Sequence, residues 1–221
     1  MFAPFTRHRR VYSLGRENPP SCFAFKSMSS LFARLKAGTE QQHREIESII
    51  DPLKNFCSLT AYKSHVLKSW RFYRSTESDL GALDWSAVGI DFAARRKLPL
   101  LERDLGALGI PRPPTPDDWA PSTLIDMDFA LGFMYVVEGA TLGGQVISRH
   151  LAKLGIGPDT GGLFFNGYGA RTGEMWKSFQ VSAANFCVTE EQVGQAVNGA
   201  KSAFSNFRCS MLRGEGVAHE S

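Results

Sequence analysis

The 221-residue sequence contains only four cysteines, and no two of them stand in a C-x-x-C pair. This excludes a zinc knuckle and a disulfide framework, and it is compatible with a reducing cytosol. The glycine-rich stretch 155–169 follows no strand pattern and does not fit G-x-G-x-x-G, so a phosphate-binding loop is missing too. Neither a nucleophilic triad nor a flavin or nicotinamide motif is visible. These absences argue against zinc-finger, nucleotide-binding and serine-hydrolase functions.

The main part of the sequence also lacks an excess of positive charge. The chain has 25 Lys and Arg against 22 Asp and Glu, but residues 1–27 alone hold five bases and one acid, which leaves 20 bases and 21 acids elsewhere. Since nucleic-acid binding needs a basic face, we expect no nucleic-acid partner. Segment 1–27 is broken by prolines and has no apolar run of a secretory signal. We therefore expect a disordered or mis-called extension over residues 1–27, and a cytoplasmic domain over residues 28–221.

Sustained alternation of apolar and polar residues is missing as well, and apolar residues recur instead at helical spacing. Ser30 and Thr60 are candidate N-caps, and Pro99 predicts a kink or break in the third helix. The pattern predicts a single all-α domain, with helices over residues 31–50, from 60 to beyond 73, and over 91–108, 122–154, 171–184 and 189–212.

The fourth predicted helix is unusually rich in glycine. Gly132, Gly139 and Gly143 fall within about 40° of one another on one stripe, although each interior glycine costs about 1 kcal/mol relative to alanine. A tight helix–helix contact explains such a stripe, and so does a flat ligand against bare backbone. The adjacent pair Gly143-Gly144 predicts a kink, which helix packing does not require. A membrane span is not expected, because Glu138 and Gln145 interrupt the apolar run.

The first predicted helix places a histidine among apolar residues. His43 shares a helix face with Leu35, Thr39, Ile46 and Ile50. It is either a hydrogen-bonded core residue or a ligand, and a porphyrin iron needs only one ligand from the protein. The other histidines are weaker candidates. His150 is expected near a helix C-terminus, and His65 and His219 are expected on the surface or in the tail.

These two segments resemble a known family. Residues 35–47 are similar to the proximal helix of heme oxygenases, and residues 139–146 are similar to their kinked distal helix. Residues 135–144 look most like the bacterial, phytochrome-associated branch. The resemblance implies an all-α heme-oxygenase-like fold, with haem between the two helices.

The resemblance also implies roles for individual residues. His43 matches the axial iron ligand, and Gly139, Gly143 and Gly144 match the distal glycines, of which Gly139 and Gly143 are the predicted catalytic positions. Lys36 and Lys177 match residues that pair with haem propionates, and Phe204 is either a pocket wall or core. Ala140 stands in the haem-binding segment where many members have an aspartate that organises water. The source of the distal proton is therefore open.

The implied function is O₂-dependent cleavage of haem to biliverdin, carbon monoxide and iron. Haem is then both cofactor and substrate, and electrons come from an external reductase, ferredoxin or flavodoxin. A phytochrome is implied as the receiver of biliverdin. Two alternatives stay open: a non-catalytic haem-binding or haem-sequestering protein, and the same helical fold with a different small ligand.

Overall fold

A computed structural model describes residues 22–50, 56–112 and 126–212. Within these ranges all the regular elements are helical, which confirms the predicted all-α fold. Four of the elements are single 3₁₀ turns. The α-helices are α1 (Cys22–Gly38), α2 (Glu40–Ile49), α3 (Leu59–Gly81), α4 (Leu98–Ala107), α5 (Met127–Lys153), α6 (Leu163–Asn166), α7 (Thr172–Phe186) and α8 (Glu190–Leu212).

The helix predicted over residues 31–50 is in fact two helices. The chain leaves helical geometry at Thr39, with φ −121° and ψ 8°. The Thr39 hydroxyl donates to the carbonyl of Leu35 at 2.7 Å, a bond that bends helices, and the preceding Gly38 weakens the helix further. Helix α1 begins at Cys22, so Ser30 is not its cap and the predicted boundary before Met28 falls inside a helix. Residues 1–21 of the predicted extension lie outside the described residues.

The third and fourth predicted helices begin later than the periodicity suggested. Helix α4 begins at Leu98, after a 3₁₀ turn over Ala93–Arg95, and Pro99 lies in its first turn. Proline is tolerated there because the first-turn N–H groups have no intrahelical partner. Helix α5 begins at Met127, and residues 122–125 of its predicted start lie outside the described ranges. In α3, Ser58 rather than Thr60 is the N-cap, since its hydroxyl accepts from the Ala61 N–H at 3.1 Å.

Helix α5 is the centre of the domain and packs along α8. A Cβ at Gly132 would overlap the carbonyl of Ala196, and a Cβ at Gly199 would overlap the carbonyl of Phe129. Glycine at both positions lets the two backbones approach closely. Met127–Lys153 is long and apolar enough to cross a membrane, but half of its most apolar window is buried within the protein. This helix packs against α6, α7 and α8 of the same domain.

The C-terminal helices lie close to where the sequence predicts them, with α7 over Thr172–Phe186 and α8 over Glu190–Leu212. Helix α8 packs against both α2 and α5. Helix α2, which carries the predicted histidine, and helix α5, which carries the predicted glycines, therefore both pack against α8.

Candidate functional site

A cavity of about 710 Å³ is lined by residues of α2 and α5, together with residues of α3, α6, α7 and α8. This volume lies within the range of small-molecule and cofactor sites. Most of the wall is apolar and aromatic, and it includes Ile46, Phe72, Phe164, Phe165, Trp176, Phe204 and Phe207. A large, flat and mostly apolar molecule suits such a wall, because it can bury its faces against ring and aliphatic carbon.

The glycine stripe of α5 divides between two roles. Gly132 packs against α8, whereas Gly139 and Gly143 line the cavity. A Cβ at Gly143 would meet nothing within 4 Å, and one at Gly139 would reach only the Trp176 ring at 3.9 Å. Helix packing thus accounts for Gly132 and leaves Gly139 and Gly143 as bare backbone at the cavity wall.

Gly144, the next glycine of α5, lies close to the backbone of another helix. A Cβ at Gly144 would lie 3.2 Å from the carbonyl oxygen of Phe165, so this glycine also permits close approach of α6. Gly144 and Ala140 both line the cavity. Helix α5 runs through the Gly143-Gly144 pair without an interruption of its helical structure.

Helix α2 presents His43 to the same cavity. Its side chain is 58% exposed, and its ring lies 5.9 Å from that of Phe204 in an edge-on contact. The interpretation of His43 as a buried core residue is therefore wrong, because its side chain lies at the open cavity rather than inside the packed core. Its Nδ1 lies 3.4 Å from a carboxylate oxygen of Glu47. A carboxylate beside Nδ1 favours the proton on that nitrogen, which leaves a lone pair on Nε2.

The two predicted propionate lysines do not join this group. Lys36 and Lys177 are exposed, and neither is among the residues that line the cavity. Lys36 lies on α1 and His43 on α2, because the helix breaks at Thr39, so the two residues do not share one helix face. Their roles toward haem stay predictions.

A buried ionic network behind the cavity was not foreseen from the sequence. The Glu138 carboxylate, fully buried on α5, accepts from Arg95 at 2.7 Å, from Lys97 at 3.0 Å and from the Tyr168 hydroxyl at 2.6 Å. Burial lowers the pKa of Lys97, and the negative charge of Glu138 opposes this shift. Glu138 immediately precedes Gly139. Its carboxylate therefore connects this part of α5 to the segment of Arg95 and Lys97 and to Tyr168. The only sequence signal was an acid in an apolar helix centre.

Lys97 connects this network to the cavity, since it is nearly inaccessible to solvent and still lines the wall. Its main chain is held by Glu77 of α3, which accepts from the Lys97 and Leu98 N–H groups and from the Arg96 side chain. Glu138 of α5 and Glu77 of α3 therefore both hold the segment before α4 in place.

The prediction of a surface His65 is wrong. The side chain is 4% exposed, lines the cavity, and packs against the rings of Phe56 and Phe165. Burial, with a smaller contribution from Lys68, lowers the pKa of His65 to about 4. His150 lies in the last turn of α5 as expected, and His219 lies outside the described residues.

Together the fold and cavity define an all-α ligand-binding protein in which an accessible imidazole and a bare helix backbone share one apolar pocket. The family model for heme oxygenase matches residues 122–213. A heme oxygenase of Xanthomonas campestris pv. campestris is 30% identical over 126 residues, which is 56% of this chain and 73% of that protein. The chain belongs to the heme oxygenase family, as its sequence segments predict.

Two further comparisons agree. Heme oxygenase PigA of Pseudomonas aeruginosa is 25% identical over 174 residues, covering 79% of this chain and 87% of that protein. The crystal structure of the NO- and CO-bound heme oxygenase from Neisseria meningitidis matches with a TM-score of 0.73 and 19% identity, over 82% of this chain and 89% of that one. The predicted fold and the predicted enzyme class, an oxidoreductase acting on haem, are both confirmed.

Proposed function

We propose that this chain cleaves haem with O₂ to biliverdin, carbon monoxide and iron, and that His43, Gly139 and Gly143 form the reaction site. One observation carries the proposal. The cavity combines an exposed imidazole on α2 with two positions on α5 where no side chain intervenes. This donor set and shape fit a porphyrin, which needs one protein ligand to iron and an open space on the other face.

The chain's own residues then have distinct tasks. His43, with its proton favoured on Nδ1 by Glu47, offers Nε2 as the iron ligand. The aromatic wall offers apolar surface against which a porphyrin would bury its faces, and the bare backbone at Gly139 and Gly143 would leave room beside the bound haem. Bound haem supplies the iron centre for O₂ reduction and is itself the molecule that is cleaved. The protein contributes position rather than a covalent group.

Electrons must reach this site from another protein, and we propose a reductase, ferredoxin or flavodoxin in the bacterial cytoplasm. Similarity of residues 135–144 to the phytochrome-associated branch supports a phytochrome as the receiver of biliverdin. Lys36 and Lys177 are proposed to pair with the propionates when haem is present, which requires their long side chains to move toward the cavity mouth.

A haem-sequestering protein of the same fold is the second candidate, and Ala140 favours it because alanine offers no hydrogen bond beside the iron. The family match favours turnover. Titration of the purified chain with hemin, followed by ascorbate and air, separates the two. We expect a stoichiometric Soret band that is lost on reduction as biliverdin absorbance appears. A stable Soret band would indicate sequestration, and no binding would contradict both.

A further inference from the structure

Two buried polar residues share the inner wall of the cavity. His65 and Ser69 are one turn apart on α3, are 4% and 1% exposed, and both line the cavity. Tyr73, one turn further along, lines it too. Helix α3 therefore presents polar groups to a cavity whose other walls are mostly apolar.

One side-chain polar atom of each of these two residues has no hydrogen-bond partner in the part of the protein that the structure describes. His65 Nδ1 and Ser69 Oγ are buried and make no hydrogen bond to any described residue. The serine hydroxyl does not even bond the carbonyl one turn back, which is its usual choice within a helix. Buried polar atoms in native proteins are almost always satisfied by protein or by ordered water. Trp70 Nε1 shares this property, but Trp70 does not line the cavity.

One aromatic residue, Phe165, contacts both His65 and the glycine segment of α5. The His65 ring stacks on the Phe165 ring at 5.7 Å between centroids, and the Phe165 carbonyl oxygen lies 3.2 Å from the Cβ position of Gly144. One aromatic residue thus separates His65 from the segment that contains Ala140 and Gly143. The imidazole is neutral at pH 7 because burial lowers its pKa, so its two nitrogens offer one donor and one acceptor.

We propose that His65 and Ser69 are positioning residues for the reaction: they hold an ordered water at the inner wall of the cavity and so supply the hydrogen bonding that Ala140 cannot. A water there gains partners from the imidazole and the hydroxyl, and it retains hydrogen-bonding capacity toward the space beside the iron. The inference rests on the proposed function, because it assigns that space to a diatomic ligand of haem. It concerns residues on α3 that the sequence resemblance did not assign.

The test uses the ferrous CO complex of the full chain, because the C–O stretching frequency reports hydrogen bonding beside the iron. His65→Phe and Ser69→Ala remove the polar atoms while keeping the helix, and Ser64→Ala removes a hydroxyl of α3 that does not line the cavity. For each we would measure hemin affinity, the C–O stretch in H₂O and D₂O, and the O₂ dissociation rate.

We expect hemin affinity within about twofold of the natural chain for all three variants. His65→Phe and Ser69→Ala should raise the C–O stretch, abolish its D₂O sensitivity and speed O₂ dissociation about tenfold, the equivalent of one hydrogen bond. Ser64→Ala should change none of these. His65→Gln keeps a hydrogen-bond donor and an acceptor. Its C–O stretch, D₂O sensitivity and O₂ dissociation rate should therefore stay close to those of the natural chain.

An unchanged C–O stretch and an unchanged O₂ dissociation rate in both Ser69→Ala and His65→Phe would overturn the proposal. So would a loss of hemin affinity with an unchanged C–O stretch, since that is the result of a merely structural role. Failure of the natural chain to bind hemin would instead refute the proposed function. If His65→Phe does not fold, the comparison of Ser69→Ala with its control Ser64→Ala decides the test, and an unchanged C–O stretch in Ser69→Ala overturns the proposal.

Discussion

Gly132 and Gly143 lie on one stripe of α5, but they face different partners: Gly132 meets the Ala196 carbonyl of α8, and Gly143 faces the open cavity. A leucine at the two positions should therefore have opposite effects. Gly132→Leu should destabilise or unfold the protein, because overpacking against backbone costs at least about 1–3 kcal/mol. Gly143→Leu should leave the apoprotein as stable or up to about 1 kcal/mol more stable, and should weaken hemin binding strongly.

Denaturant unfolding of both apoproteins and hemin titration of Gly143→Leu check this contrast. Equal destabilisation of the two variants, with normal hemin affinity in the fraction that folds, would assign Gly143 to helix packing. It would also remove the main physical support for the haem site.

Replacement of His43 tests the predicted iron ligand. The His43 side chain is more than half exposed, so His43→Ala should unfold at nearly the same denaturant concentration as the natural chain. Its haem complex should show greatly weakened or altered ligation in the absorption spectrum, and added imidazole should restore part of it. His150→Ala is the matched control, because His150 lies on α5 and does not line the cavity. An unchanged spectrum in His43→Ala would disprove the assignment.

The buried network predicts a large stability effect at Glu138. Glu138→Ala leaves Arg95 and Lys97 buried without their counter-ion, which costs about 3–5 kcal/mol for a pair of this kind. Thermal or denaturant unfolding of the apoprotein measures it. The control is Glu174→Ala, which breaks an exposed pair with Arg171 and should have no detectable effect. Similar stability of the two variants would show that the network contributes little.

Burial of His65 predicts a dependence of apoprotein stability on pH. The pKa of His65 falls from 6.5 to about 4 in the folded protein, so the unfolded chain binds a proton first as the pH is lowered. Stability from this residue is complete above pH 6.5 and decreases by about 3 kcal/mol as the pH falls toward 4. In His65→Gln that part of the loss should disappear. An identical pH dependence in both proteins would show that His65 is not desolvated.

Local patterns predicted much of this protein. Helical spacing was enough for the all-α fold and for the positions of α7 and α8, because it depends on residues three and four apart. The residues around His43 and Gly139 indicated the family, since the chemistry of the site needs those residue types at those positions.

Other features depended on contacts that no local pattern records. At the break at Thr39, the Thr39 hydroxyl donates to the Leu35 carbonyl. The apolar residues continue at helical spacing across Thr39, so the sequence pattern predicted one unbroken helix. Gly132 and Gly143 look alike in the sequence, and only the packing of α8 separates their roles. The partners of Glu138 come from segments about 30 to 40 residues away.

Short stretches of neighbouring residues were enough to indicate the class of fold, the family and the candidate iron ligand, because each of these depends on residue types at close spacing. Only the folded structure shows which glycines face the cavity, that Lys36 and Lys177 do not line it, and that His65 is buried at its wall. These properties depend on which distant helices pack together, and therefore on burial and partners that residues acquire only when the chain has folded.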